Sequence, residues 1–123
     1  MPQRRRVLPS DATSAWAARR FLEEASCPEH MATVLEDAQL LVSELVGNAV
    51  RHGLPPIEVA VECVGEKCLE VRVRDTSFAT PAVRRAGVEA EDGRGLQLID
   101  LLSSEWGTKT DSFGKTVWFH LDV

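Results

Sequence analysis

The sequence predicts an α+β protein, a mostly antiparallel or mixed sheet with its helices packed on one face. Three observations carry that prediction. Before residue 53, two stretches repeat apolar residues at steps of three and four, as helices do. After residue 56, two stretches alternate apolar and polar residues around a short turn, as a hairpin does. Beyond residue 95, a short apolar helical run leads into a second pair of strands. The order β-α-α-β-β, an irregular segment, then α-β-β suits a two-layer sandwich. A length of 123 residues fits a single domain, 1–123, with one core.

The elements follow in order. Residues 3–8 read as a short edge strand, and Ser10 or Asp11 as the N-cap of a helix over about 12–26. Trp16, Phe21 and Leu22 supply its apolar stripe, with Arg19, Arg20, Glu23 and Glu24 outside. Cys27-Pro28 breaks it, and a longer helix spans roughly 30–52. In that helix Val34, Ala38, Leu41, Leu45 and Ala49 share one apolar face. Gly53 stops it where a positive φ is wanted, and Pro55-Pro56 prevents a restart. Ile57, Val59, Val61 and Cys63 mark the inner face of one strand, Leu69, Val71 and Val73 that of the next. Residues 76–95 hold Pro81, Gly87, Gly93 and Gly95 without a sustained period, the pattern of a lid. Leu96, Leu98, Ile99, Leu101 and Leu102 form the short helix. Strands begin at Glu105 and Gly114, with Lys109 to Phe113 as the hairpin loop between them.

Composition narrows the function. Hydrophobic residues are 44% and charged residues 27%, an ordinary globular balance. The net charge of −5, with no dominant basic cluster, argues against nucleic acid as the main partner. Three cysteines and three scattered histidines show no metal spacing and read as reduced thiols and isolated imidazoles. Arg4-Arg5-Arg6 is followed by no apolar run, so neither a signal peptide nor a membrane span is expected, and the location expected is cytoplasmic.

Four places carry possible chemistry. Glu44 and Asn48 stand one turn apart on a second face of the long helix. They either orient a water or hydroxyl beside a metal, or merely solvate that face. Asp75 continues the phase of Leu69, Val71 and Val73, so its carboxylate points into the helix-covered side. A carboxylate there needs a partner, because burying it alone costs several kcal/mol or forces it neutral. The alternative is that it caps the Thr76-Ser77 turn. Gly93-Arg94-Gly95 stands just before a helix N-terminus, where bare backbone N–H groups suit phosphate; the alternative is a flexible loop before a buried helix. Two apparent motifs fail. Gly114-Lys115-Thr116 lacks the first glycine of a phosphate loop and leads into a strand, and Leu98 replaces the third glycine of a dinucleotide fingerprint.

Together these stretches resemble the histidine-kinase-like, or Bergerat-fold, ATPases, and among them the bacterial anti-sigma-factor serine/threonine kinases. Glu44-Leu45-Val46-Gly47-Asn48-Ala49-Val50-Arg51-His52-Gly53 resembles their N box. Val73-Arg74-Asp75 with Pro81 resembles the G1 box, Gly93-Arg94-Gly95-Leu96-Gln97-Leu98 the G2 box, and Gly114-Lys115-Thr116-Val117-Trp118-Phe119 the closing strand. The resemblance implies ATP and Mg²⁺ as cofactors. It implies Asn48 as metal ligand, Asp75 as acceptor from the adenine amino group, and Thr116 as support for Asp75 and a water. Gly93, Arg94, Gly95 and Leu96 would lie along the phosphates, and Glu44 would be the general base. It further implies an anti-anti-sigma (STAS-domain) protein and a sigma factor as partners, and a homodimer. Ser77, Ala79 and Gln97 stand where the family pattern has glycine. The main rival is a non-catalytic, ATP-binding anti-sigma module; a third reading is the catalytic domain of a histidine kinase.

Overall fold

The computed structural model describes residues 4–25, 28–64, 68–77 and 93–122, with side chains from Val34 in the second helix and from Gln97 in the third. The elements are β1 (Arg4–Leu8), α1 (Ser14–Ala25), α2 (Pro28–His52), β2 (Ile57–Val64), β3 (Cys68–Asp75), α3 (Gly93–Leu102), β4 (Glu105–Asp111) and β5 (Gly114–Asp122). The five strands form one sheet in the order β1-β2-β3-β5-β4, and every described pairing is antiparallel. The helices pack on one face of it, with α2 lying over β3 between α1 and α3.

The long helix is the centre of the core. Val34, Ala38, Leu41, Leu45 and Ala49 are all buried, as their spacing predicts. Val42 and Val46 are fully buried too, because α1 covers a second side of the helix. Gln39 and Ser43 line the polar rim of that seam, bonding the Arg19 carbonyl at 3.2 Å and the Arg19 guanidinium at 2.9 Å. On α1 the buried stripe is Ser14, Ala18, Phe21, Leu22 and Ala25. Trp16 does not belong to it. It lies on the far side of the helical wheel, exposed, with the Arg20 guanidinium 5.4 Å from its ring. The arginines of β1 are absorbed by neighbours: Arg6 pairs with Glu24 at 3.1 Å and Arg5 with Glu58 at 3.8 Å.

The sheet separates its faces cleanly. Ile57, Val59, Val61, Leu69, Val71, Val73, Phe119 and Leu121 face the helices and are buried. Each such side chain contributes roughly 1.5–3 kcal/mol relative to exposure. The other face is polar: Arg72 pairs with Glu62 and Glu70, His120 with Glu70 at 2.6 Å, and Arg74 with Asp111 at 3.0 Å. Cys63 opposes Leu69 and Val64 opposes Cys68, so the two thiols are out of register and project to opposite faces. Both are free.

Two boundaries differ from expectation. The β4–β5 loop is shorter than Lys109 to Phe113, because β4 continues to Asp111, which pairs with Gly114. Polar Lys109 and Thr110 carry no alternation of their own, and pairing with β5 makes them strand. Helix α3 starts at Gly93, so Gly93, Arg94 and Gly95 form its first turn instead of preceding it. Glycine contributes nothing to an apolar period, which hid the start. Residues 78–92, most of the expected lid, lie outside the described residues, as does the turn at 65–67. Among the described residues no helix is long and apolar enough to cross a membrane.

Candidate functional site

Asp75 is the last residue of β3 and is 2% exposed. The alternation that buries Leu69, Val71 and Val73 carries its carboxylate inward with them. Oδ1 accepts a hydrogen bond from the Ser77 amide at 2.7 Å, and Oδ2 faces Lys115 Nζ at 3.8 Å. The inward phase and the turn cap were alternatives in the sequence; the carboxylate does both at once. Ser77, 5% exposed, stands beside it with its Oγ buried and without a hydrogen-bond partner among the described residues.

The C-terminus of α2 abuts this carboxylate. A Cβ added at Gly53 would lie 2.6 Å from Asp75 Cγ and 2.7 Å from both Oδ2 and the Ala49 carbonyl oxygen. Gly53 has no positive φ, contrary to expectation; Gly114 alone among the described glycines does. What position 53 requires is the absence of a side chain. Its amide still donates to the Ala49 oxygen at 2.8 Å, so the helical turn continues. Thr76 pins the connection to β2, its amide donating to the Leu54 carbonyl at 3.0 Å and its hydroxyl to the Pro55 carbonyl at 2.8 Å. The end of α2 and the end of β3 are therefore one unit.

Across the sheet, Asp75 pairs with Lys115 and Arg74 with Thr116. This register corrects the expectation for Thr116. Its hydroxyl lies on the outer face, 3.2 Å from Arg74 Nη1, on the side of the sheet away from the Asp75 carboxylate. Lys115, which sequence reasoning passed over, takes the inward place and is itself 5% exposed. Both faces of β5 carry apolar residues, so only pairing with β3 sets its phase. The one available signal was that an inward carboxylate asks for an inward cation on a neighbouring strand. A pocket of about 190 Å³ lined by Arg5, Glu58, Ala60, Arg72, Arg74 and Thr116 also opens on the outer face. There Arg74, with help from the Phe113 amide, holds the Asp111 carboxyl down to about 2.

On α2, Glu44 and Asn48 are both half-buried, one turn apart as expected. Asn48 Oδ1 accepts a hydrogen bond from Arg51 Nη2 at 2.6 Å. Arg51 folds back over the helix, close enough that a Cβ at Gly47 would stand 3.3 Å from its Nη1. A carbonyl oxygen has a second lone pair, so a cation can share the amide or displace the guanidinium. Among the described residues no three His, Cys, Asp or Glu side chains cluster to hold a metal. A neutral amide alone suits Mg²⁺ only when phosphate and water oxygens complete its shell. The first-turn amides of α3 (Gly93, Arg94, Gly95, Leu96) are the donors that no helical carbonyl claims, and α3 packs beside α2.

These residues fit a nucleotide: a buried acceptor and donor at one end, an amide oxygen on α2, and free N–H groups at the start of α3. No curated protein matches the chain. Among solved structures, the RsbU and RsbW domains of Rv1364c from Mycobacterium tuberculosis superpose with a TM-score of 0.64 at 21% identity, over 98% of this chain and 32% of that one. The histidine kinase domain of the blue-light activated histidine kinase from Erythrobacter litoralis EL346 gives 0.56 at 23% identity, over 71% of this chain and 43% of that one. The chain thus spans less than half of either neighbour, and at these identities the likeness is one of fold. The family description of the histidine kinase-like ATPase domain matches residues 8–121, nearly the whole length, and the chain belongs to that family.

Proposed function

We propose that the chain binds Mg·ATP and acts as a serine/threonine protein kinase on an anti-anti-sigma (STAS-domain) partner, thereby regulating a sigma factor. The observation that carries the reading is the buried Asp75 carboxylate, locked against Gly53 at the end of the helix bearing Glu44 and Asn48. In this reading Asp75 accepts from the adenine amino group and Asn48 holds Mg²⁺ through Oδ1. The first turn of α3 receives phosphate, as helix N-termini do. Bound Mg²⁺ supplies charge neutralisation for phosphoryl transfer. Glu44 takes the proton from the acceptor hydroxyl of the partner. The likeness to a structure containing an RsbW domain, and the motif resemblance to anti-sigma kinases, support the partner class.

A second reading, an ATP-binding partner module without transfer, is favoured by the Arg51–Asn48 bond, which uses one lone pair of the amide oxygen meant for the metal. One comparison separates them. A general base contributes about 10²–10⁴-fold to transfer and little to ground-state binding. Glu44→Gln should bind Mg·ATP like the parent and lose most phosphoserine formation on the partner, read by mass spectrometry. A parent that binds ATP and phosphorylates no cognate partner leaves the binding module standing. A variant that transfers at the parent rate removes Glu44 as the base.

A further inference from the structure

We infer that Lys115 is a second base-reading residue, its ammonium donating to the adenine ring nitrogen N1 next to the amino group that Asp75 accepts from. The inference rests on the reading of Asp75 as the adenine contact and adds the specificity determinant beside it. Lys115 and Asp75 side chains are 6% and 3% exposed, and their charged atoms stand 3.8 Å apart. A charge-assisted hydrogen bond closes to about 2.7–2.9 Å, so the two groups lie side by side without consuming each other. Asp75 Oδ1 is taken by the Ser77 amide, which leaves Oδ2 with acceptor capacity. The lysine ammonium has three donors. Among the described residues its one partner is that distant oxygen.

A buried donor and a buried acceptor, set next to each other and incompletely used, match an edge that offers the reverse pair. Adenine presents such an edge, its amino group donating and N1 accepting. Ser77 Oγ, buried at the same carboxylate, has no hydrogen-bond partner among the described residues and is a further polar group that such a ligand can meet. The backbone keeps Lys115 in place. A Cβ at Gly114 would stand 2.1 Å from the Asp75 carbonyl oxygen, and the φ there is +150°, so the start of β5 is seated on the end of β3 without slack. Thr116, which the motif resemblance offers as support for Asp75 and a water, is on the other face.

The test compares three Mg-bound nucleotides by isothermal titration on the parent protein and on Lys115→Met. These are ATP, 1-deazaadenosine triphosphate, which keeps the amino group and loses N1, and purine riboside triphosphate, which keeps N1 and loses the amino group. The parent should bind the deaza compound about tenfold more weakly than ATP, as loss of a hydrogen bond to a charged donor predicts. That penalty should vanish in Lys115→Met, while the preference for ATP over purine riboside triphosphate persists. Should Lys115→Met fail to fold by circular dichroism, Lys115→Thr replaces it. Equal parent affinities for ATP and the deaza compound overturn the inference and leave Asp75 untouched, and so does a penalty that survives in the variant. Equal affinities for ATP and purine riboside triphosphate remove the Asp75 reading, and this inference with it.

Discussion

Gly47 within α2 and Gly53 just past its end should respond to alanine in opposite directions. At Gly53 the new Cβ would stand 2.6 Å from Asp75 Cγ and 2.7 Å from Oδ2. Carbon contacts are relaxed at about 3.5–4.0 Å, so the carboxylate must retreat by most of an ångström. It cannot do so freely, because Oδ1 is held by the Ser77 amide at 2.7 Å. Overpacking of this kind costs about 1–3 kcal/mol. The loss of unfolded-state freedom on Gly→Ala offsets about 0.4–1 kcal/mol of it. The net expectation for Gly53→Ala is a loss of about 1–2 kcal/mol, a fall in Tm of about 4–8 °C. At Gly47 the added Cβ meets only the mobile end of Arg51 at 3.3 Å. Gly47→Ala should therefore gain about 0.5–1 kcal/mol from helix propensity. Urea unfolding followed by circular dichroism measures both. Mg·ATP titration should show that Gly53→Ala also weakens nucleotide binding, since it moves Asp75. A Gly53→Ala protein as stable as the parent, with undiminished ATP affinity, would refute the claim that α2 and β3 meet at this carboxylate.

Three further outcomes follow from the same geometry. Asn48→Ala should weaken binding in Mg²⁺ and leave binding in chelator unchanged; equal heats for parent and variant in Mg²⁺ would remove the metal assignment. Asp75→Asn should cost about 1.5–3 kcal/mol of ATP affinity, and the parent should prefer ATP to GTP, whose carbonyl would meet the carboxylate. Indifference to both changes returns Asp75 to a turn cap. Arg74→Met should raise the Asp111 pKa partway from about 2 toward its ordinary 3.8, read by carboxyl NMR titration. The folded pKa is depressed, so the stabilisation from Asp111 is complete above about pH 4 and is lost as pH falls through about 2. An unmoved midpoint would mean that the Phe113 amide alone sets it.

What the sequence by itself determined is what local period can encode. One face of α2, the inward phase of β3 and the one-turn spacing of Glu44 and Asn48 each depend on neighbours within a few residues, and each stands where the pattern placed it. The pattern also offered an inward Asp75, with a turn cap as the alternative, because three apolar residues before it set the alternation. Tertiary structure decided everything that needed a register. Strand β5 is apolar on both faces, and only its pairing with β3 put Lys115 beside Asp75 and turned Thr116 away. Trp16 was large and apolar enough to look like core, and the packing of α1 left it outside. Gly53 read as a conformational stop, yet its reason is a carboxylate 22 residues along the chain. A glycine and an aspartate can each be read from sequence; their collision exists only once the chain is folded.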